Sequence, residues 1–368
     1  MTDIFNFTQD KLDILSKANS ALKIDKSNHN RIVFIYSAPK VGSTSLVSSL
    51  RIFGIDKLDI IHIHDEMMLN TLANITNISV NEIIQYNKYL GKDVYVINIF
   101  RNPIERKIST FFEKIGSYHF NNSDSNVNNY DVNKVINRFN NIFEHIGNGD
   151  HFIDTYKINI PNSFDFVNKY LLVEEQGIKY ISLRLKDSDY WQNILTNIFG
   201  FHIHIIKDYE SSDKPIKDLY ARFKNNYRVP SNFLINITNS IYMKYYFSID
   251  EIKDYYNYWS NKSISTFRGY TEQEYHLYQT ITIENTHLDI IQIDHYFDEG
   301  CRCKACQIKR NQTAMKIIRG DKVTDKIIHI NAKSELIEKR VKKAAKINHV
   351  ISKNPVKIRG KDFKILSI

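Results

Sequence analysis

The residues best suited to chemistry form three groups: Lys40 with Gly42, Ser43, Thr44 and Ser45; Arg101 with Ser109; and His62 with His64. A lysine, a glycine and three hydroxyls gathered at a turn can cradle a phosphate-like anion, above all where a helix begins and its first N–H groups have no intrahelical partners. The arginine and serine, eight residues apart, offer a guanidinium fork and a hydroxyl, which together suit a dianionic phosphate. An imidazole titrates close to neutrality and can take a proton from a hydroxyl. Phosphate capture beside a proton acceptor is the chemistry of group transfer.

The elements that must position these residues can be read from the surrounding pattern. The apolar run Ile32-Val33-Phe34-Ile35-Tyr36 predicts a strand, Pro39 ends it, and Leu46, Val47, Leu50 and Phe53 repeat at helical spacing, so the first group lies on a strand–turn–helix. Gly42 permits positive φ or close approach of an anion to the backbone. Val94–Phe100 predicts another strand, which passes into Arg101-Asn102-Pro103, and a proline suits the first turn of a helix. Arg101 is therefore expected at a strand's carboxyl end, the edge where open α/β sheets bind ligands, with Ser109 two helical turns along. Alternation over Leu58–Glu66 puts His62 and His64 on one strand face, with Asp65 and Glu66 just beyond.

In the nucleoside-triphosphate loop Gly-x-x-x-x-Gly-Lys-Ser/Thr the lysine follows the glycine. Here it precedes it, and Pro39-Lys40-Val41-Gly42-Ser43-Thr44-Ser45 resembles the 5′-phosphosulfate loop of sulfotransferases that use 3′-phosphoadenosine-5′-phosphosulfate (PAPS). Arg101-Asn102-Pro103 followed by Ser109 resembles that family's 3′-phosphate motif, and His62-Ile63-His64 resembles the His-x-His pair of some carbohydrate sulfotransferases. The resemblance implies PAPS as sulfuryl donor, bound by Lys40, Val41, Gly42, Ser43, Thr44, Ser45, Arg101 and Ser109. It also implies a hydroxyl acceptor, of glycan type, and a base among His64, His62, Glu66 and Asp65, with His64 favoured as nearer the strand end. The chemistry requires no metal. Lys179–Asp187 is a looser match to a late strand of the family, and an internal strand with an ion-paired Arg184 is the simpler reading. The alternatives are a nucleotide or sugar kinase using the same loop, or a nucleic-acid-binding protein acting through a basic tail.

The expected fold is α/β: a mostly parallel sheet of about five strands with helices on both faces, the P-loop-like sulfotransferase fold, over residues 31–270. A helical leader occupies 1–30, with a helix from Gln9 to Leu22, and a basic extension occupies 271–368. Further helices are expected in 67–91, the second capped by Ser79 and Glu82, and at Val132–Ile146, Ile216–Asn225, Ser231–Met243 and Ser248–Tyr258. The Asn/Ser/Asp-rich stretch Asn121–Asn133 reads as a mobile loop or lid, and Tyr275–Ile283 and Leu288–His295 as strands of an added hairpin.

The 368 residues include 42% hydrophobic and 12% aromatic side chains, ample for a core. Their net charge of +9 is uneven: residues 301–368 hold 19 Lys and Arg against 5 Asp and Glu, so the remainder is slightly acidic. A polyanionic partner, if there is one, should meet that tail, where Lys333–His349 reads as a basic helix. Cys301, Cys303 and Cys306, with His295 upstream, could supply a tetrahedral zinc set, remain free thiols or include a redox bridge; the spacing is not that of a zinc ribbon. The N-terminus does not resemble a signal peptide and no apolar run reaches the roughly 18–20 residues that span a bilayer, so a cytoplasmic location is expected.

Overall fold

The computed structural model describes residues 5–24, 29–119, 127–206 and 216–282. Two compact units are present, one built from residues 1–110, 146–214 and 227–267, the other from 111–145, 215–226 and 268 onward.

The first unit is an α/β layer structure around a five-stranded sheet. In chain order it begins with α1 (Gln9–Ala21), β1 (Arg31–Tyr36), α2 (Ser43–Phe53), β2 (Asp59–Ile63), α3 (Glu66–Ala73), α4 (Val80–Tyr89) and β3 (Asp93–Phe100). It continues with α5 (Pro103–Glu113), β4 (Tyr170–Glu175) and β5 (Ile178–Arg184). The strand order is β2-β1-β3-β5-β4; the first three pairings are parallel, and β4 is an antiparallel edge. The inner strands are apolar because both faces are covered: β1 buries all but its first residue, and so does β3. Val33, Ile35, Tyr95, Ile97, Ile99, Ile181 and Leu183 pack on one face against Leu46, Val47 and Leu50 of α2 and the helix Trp191–Phe199. By alternation Phe34, Tyr36, Val96, Asn98, Tyr180 and Ser182 belong to the other face. Because the chain crosses from β1 to β2 on one side and returns to β3 on the other, the carboxyl ends of β1 and β3 flank the sheet's topological reversal.

Helix ends follow local chemistry. Thr8 caps α1, Asp65 caps α3, and Ser79 with Glu82 closes a capping box on α4, as Ser248 with Glu251 does on Ile249–Ser260. Three expected boundaries need correction. The strand Lys179–Asp187 ends at Arg184, and residues 185–190 form a 3₁₀ turn leading into Trp191. The single helix Ser231–Met243 is two, Ser231–Thr238 and Ile241–Tyr246, because Ser240 takes an extended backbone and caps the second. The helix expected over Val132–Ile146 ends at Ile142 and passes into a 3₁₀ turn at Phe143–His145. At the N-terminus α1 packs against α3 and α4, and buried Asn19 exchanges hydrogen bonds with Asn87.

In the second unit Phe111, Phe112, Phe139 and Phe223 form an aromatic cluster with contacting ring centroids 5.0–6.3 Å apart. The strand expected at Tyr275–Ile283 is instead a helix, Glu272–Thr282. Thr271 and Glu274 bond each other's backbone N–H at its start, a capping box that overrides the short alternating pattern. The segments Leu288–His295 and Lys333–His349, the cysteine cluster and residues 121–126 of the expected lid lie outside the described residues. No helix among those described is long and apolar enough to cross a membrane.

Candidate functional site

The turn after β1 has the backbone an anion cradle needs. Lys40 takes φ 67° and Gly42 φ 89°, and Gly42 is the N-cap of α2, so no side-chain oxygen caps that helix's first N–H groups. Glycine suits position 42 chiefly through that φ. Besides the left-handed φ, a Cβ there would stand 2.7 Å from Leu185 Cδ1. Val41 and Ser43 are buried, Ser45 is half-buried and Thr44 is exposed.

Arg101 follows the last residue of β3, next to β1, and its Nη1 donates to the Lys40 carbonyl at 2.9 Å. That bond fixes the left-handed residue from the neighbouring strand end. Ser109 lies on α5, buried, and helix rise puts it about 9 Å beyond Pro103.

His62 and His64 share a face as alternation requires, their rings edge to face at 4.5 Å. His62 Nε2 lies 3.1 Å from Ser43 Oγ, joining β2 to the first turn of α2. His64 Nδ1 lies 2.7 Å from the Ser37 carbonyl oxygen. Since a carbonyl only accepts, Nδ1 carries the proton and Nε2 keeps its lone pair, the form a general base must have. Burial favours the neutral form of both rings: His62 is lowered to about 4 by desolvation, then by His64 and Arg51. His64 is lowered by desolvation, with the Ser37 bond opposing. The carboxylates are otherwise engaged. Asp65 accepts from Met68 N at the start of α3, and Glu66 accepts from Val80 N at 2.8 Å and faces the Tyr36 hydroxyl at 3.5 Å.

Around this edge lie residues that pattern reading did not single out. His151 Nε2 donates to the His64 carbonyl at 2.6 Å, and Arg106 and Lys107 of α5 donate to carbonyls at 146–149. The Gly147-Asn148-Gly149-Asp150 run, with Asp150 as an N-cap before His151, was the available signal. Arg184 is buried and bonded to Asp187 Oδ2, the Tyr246 carbonyl and Glu251 Oε2, an internal ion-paired strand end. A cleft of about 600 Å³, lined by Tyr156, Tyr180, Glu66 and Glu175, opens on the sheet face opposite α2, whereas the histidine rings lie on the α2 side. Among the described residues no cluster of three or more His, Cys, Asp or Glu could hold a metal.

The arrangement brings a cation, an uncapped helix N-terminus, a strand-end arginine and a basic imidazole nitrogen to one edge of a parallel sheet. It can bind a phosphate-like anion and accept a proton. No family model, curated protein or solved structure matches the chain.

Proposed function

We propose that the protein is a PAPS-dependent sulfotransferase that transfers a sulfuryl group to a hydroxyl acceptor of glycan type. The observation that carries this reading is the conjunction at the β1/β3 carboxyl edge: the Lys40–Ser45 turn opening an uncapped helix, tied by Arg101 to the neighbouring strand end, with His64 held as the Nδ1–H tautomer. In this reading the residues from Lys40 to Ser45 hold the 5′-phosphosulfate, and Arg101 and Ser109 the 3′-phosphate. His64 Nε2 takes the acceptor's proton while the acceptor oxygen bonds to sulfur. The sulfur–oxygen bond to the 5′-phosphate breaks, adenosine 3′,5′-bisphosphate leaves, and Lys40 stabilises the charge growing on the bridging oxygen. A kinase reading is weaker, because β3 is followed by Arg101 where a magnesium carboxylate would be wanted and Asp65 is used as a helix cap.

The test is ligand-induced thermal stabilisation followed by transfer of labelled sulfate from PAPS to a panel of oligosaccharides. PAPS and adenosine 3′,5′-bisphosphate should raise the melting temperature more than adenosine 5′-monophosphate, ATP or GTP. His64→Asn should keep PAPS affinity while turnover falls by roughly 10²–10⁴. Stabilisation by ATP with magnesium and none by the bisphosphate would replace this reading with the kinase one.

A further inference from the structure

Buried polar side chains destabilise a fold unless they are bonded to one another, and one such group has no part in the reaction above. Asn98 of β3, Ser182 of β5, Tyr246 and Asp150 are buried together on the face opposite α2. Asn98 Nδ2 donates to Asp150 Oδ2 at 2.9 Å, the Tyr246 hydroxyl bonds Asp150 Oδ1 at 2.8 Å, and Ser182 Oγ lies 3.0 Å from that hydroxyl. Asp150 Oδ1 also caps the short helix His151–Asp154 through Ile153 N. On its N-terminal side the loop is fastened by α5, with Arg106 bonded to the carbonyls of Asn148 and Gly149 and Lys107 to that of Ile146. The residue presented by this footing is His151. Its ring stands edge-on to Tyr36 at 4.6 Å, and its Nε2 donates to the His64 carbonyl.

We infer that His151 is a positioning residue for the base: it fixes the main chain of His64 from one side of the sheet while the Ser37 carbonyl fixes the ring from the other, and the Asp150 cluster is its foundation. The inference rests on the reading of His64 as the base. His64 needs such a hold because β2 is an edge strand whose last ladder residue is Ile63, paired with Tyr36, so the carbonyl of His64 lies beyond the ladder. A ring attached to an unheld strand end could turn away from Ser37 and lose the tautomer that leaves Nε2 bare. The bond also dictates the form of His151: facing a carbonyl, Nε2 must carry the proton. Desolvation, as the largest influence, lowers the pKa of that ring and so favours its neutral form.

The test reads the two rings directly, by nitrogen-15 NMR of the full chain, and does not depend on turnover. In the parent, His151 should be the Nε2–H tautomer and His64 the Nδ1–H tautomer; the opposite form at His151 overturns the inference with no variant needed. His151→Phe keeps a ring against Tyr36 and removes the donor, and His64 should then show mixed tautomers. With PAPS, kcat should fall about 10–100-fold, the scale of a misplaced catalytic group, while KM for PAPS stays within about twofold. His151→Gln, whose amide can reach the same carbonyl, should restore most of both. Unchanged His64 signals in a folded His151→Phe refute the inference; should that variant not fold, a His151→Gln protein with altered His64 tautomers does so. A parent that transfers no sulfate from PAPS defeats the sulfotransferase reading, and the tautomers still decide the role of His151.

Discussion

Lys40 holds a left-handed backbone at φ 67°, where a Cβ crowds the following carbonyl at a cost of about 1–2 kcal/mol. Comparing Lys40→Gly with Lys40→Ala isolates that cost, since both delete the ammonium and its stem and differ only in the Cβ. At an unstrained position alanine is the more stable of the two by about 0.4–1 kcal/mol, because glycine leaves the unfolded chain freer. At position 40 the strain relieved by glycine exceeds that entropy, so the order inverts and Lys40→Gly should be the more stable by about 0.5–1 kcal/mol. Urea unfolding followed by tryptophan fluorescence measures it, Trp191 and Trp259 both being buried, with equal m-values required of the pair. Both variants should lose sulfuryl transfer by roughly 10²–10³, the effect of removing one preorganised electrostatic donor. Greater stability in Lys40→Ala would refute the claim that the backbone is strained there. Near-parental turnover in either variant would take Lys40 out of the mechanism.

Arg101→Ala should weaken adenosine 3′,5′-bisphosphate by about 2–4 kcal/mol in calorimetry. Adenosine 5′-monophosphate should lose only about 0.5–1.5 kcal/mol, through the missing bond to the Lys40 carbonyl; equal losses would show Arg101 acting only on the loop. Gly42→Ala should destabilise the fold by at least about 1–2 kcal/mol from its φ alone, and Leu185→Ala in the same chain should recover only the steric remainder. Activity should rise with pH through a value below the ordinary histidine 6.5, because desolvation lowers His64; an acid limb above 6.5 would point to another base. Burial pushes Glu251 up, but bonds from Lys186, Arg184 and Ser248 N outweigh it and leave its pKa at about 2 against the ordinary 4.5. A depressed carboxylate stabilises the fold above its unfolded pKa, so about 1–2 kcal/mol, discounted for partial exposure, should be lost as pH falls from 4.5 towards 2. A stability slope over that window unchanged in Glu251→Gln would contradict this.

What could be read in the sequence is what near neighbours decide. The strand ending at Tyr36, the helix from Ser43, the Ser79–Glu82 and Ser248–Glu251 boxes, and the shared face of His62 and His64 each depend on a few adjacent residues. The helix at Glu272–Thr282 is equally local, but Tyr275, Leu277, Ile281 and Ile283 also fit an alternating strand, and only the Thr271–Glu274 cap decides between the two. The edge strand β4 was missed because Leu171 and Val173 alternate over only a few positions, and pairing with β5 is what defines it. For His151 the turn and N-cap before it mark a helix start, but nothing local points to its partner, which stands 87 positions earlier.

Left-handed non-glycine residues are not rare among the described residues, and some have a structural use. Asn74 ends α3 as its C-cap, and Gln176 with Gly177 turns the hairpin between β4 and β5. Such positions join one element to the next and stabilise the fold as they do so. Lys40 stands apart, since it lies two residues before a glycine that already supplies the left-handed turn, and the helix that follows is uncapped. Beside it two imidazoles are drawn out of water. A strained lysine, a helix start without a side-chain cap and desolvated rings each subtract stability, and a sequence selected for folding alone would replace them with glycine, a capping serine and apolar side chains. Their concentration at one edge of the sheet, beside a closely packed apolar core, is why chemistry is sought there and not in the cleft on the opposite face.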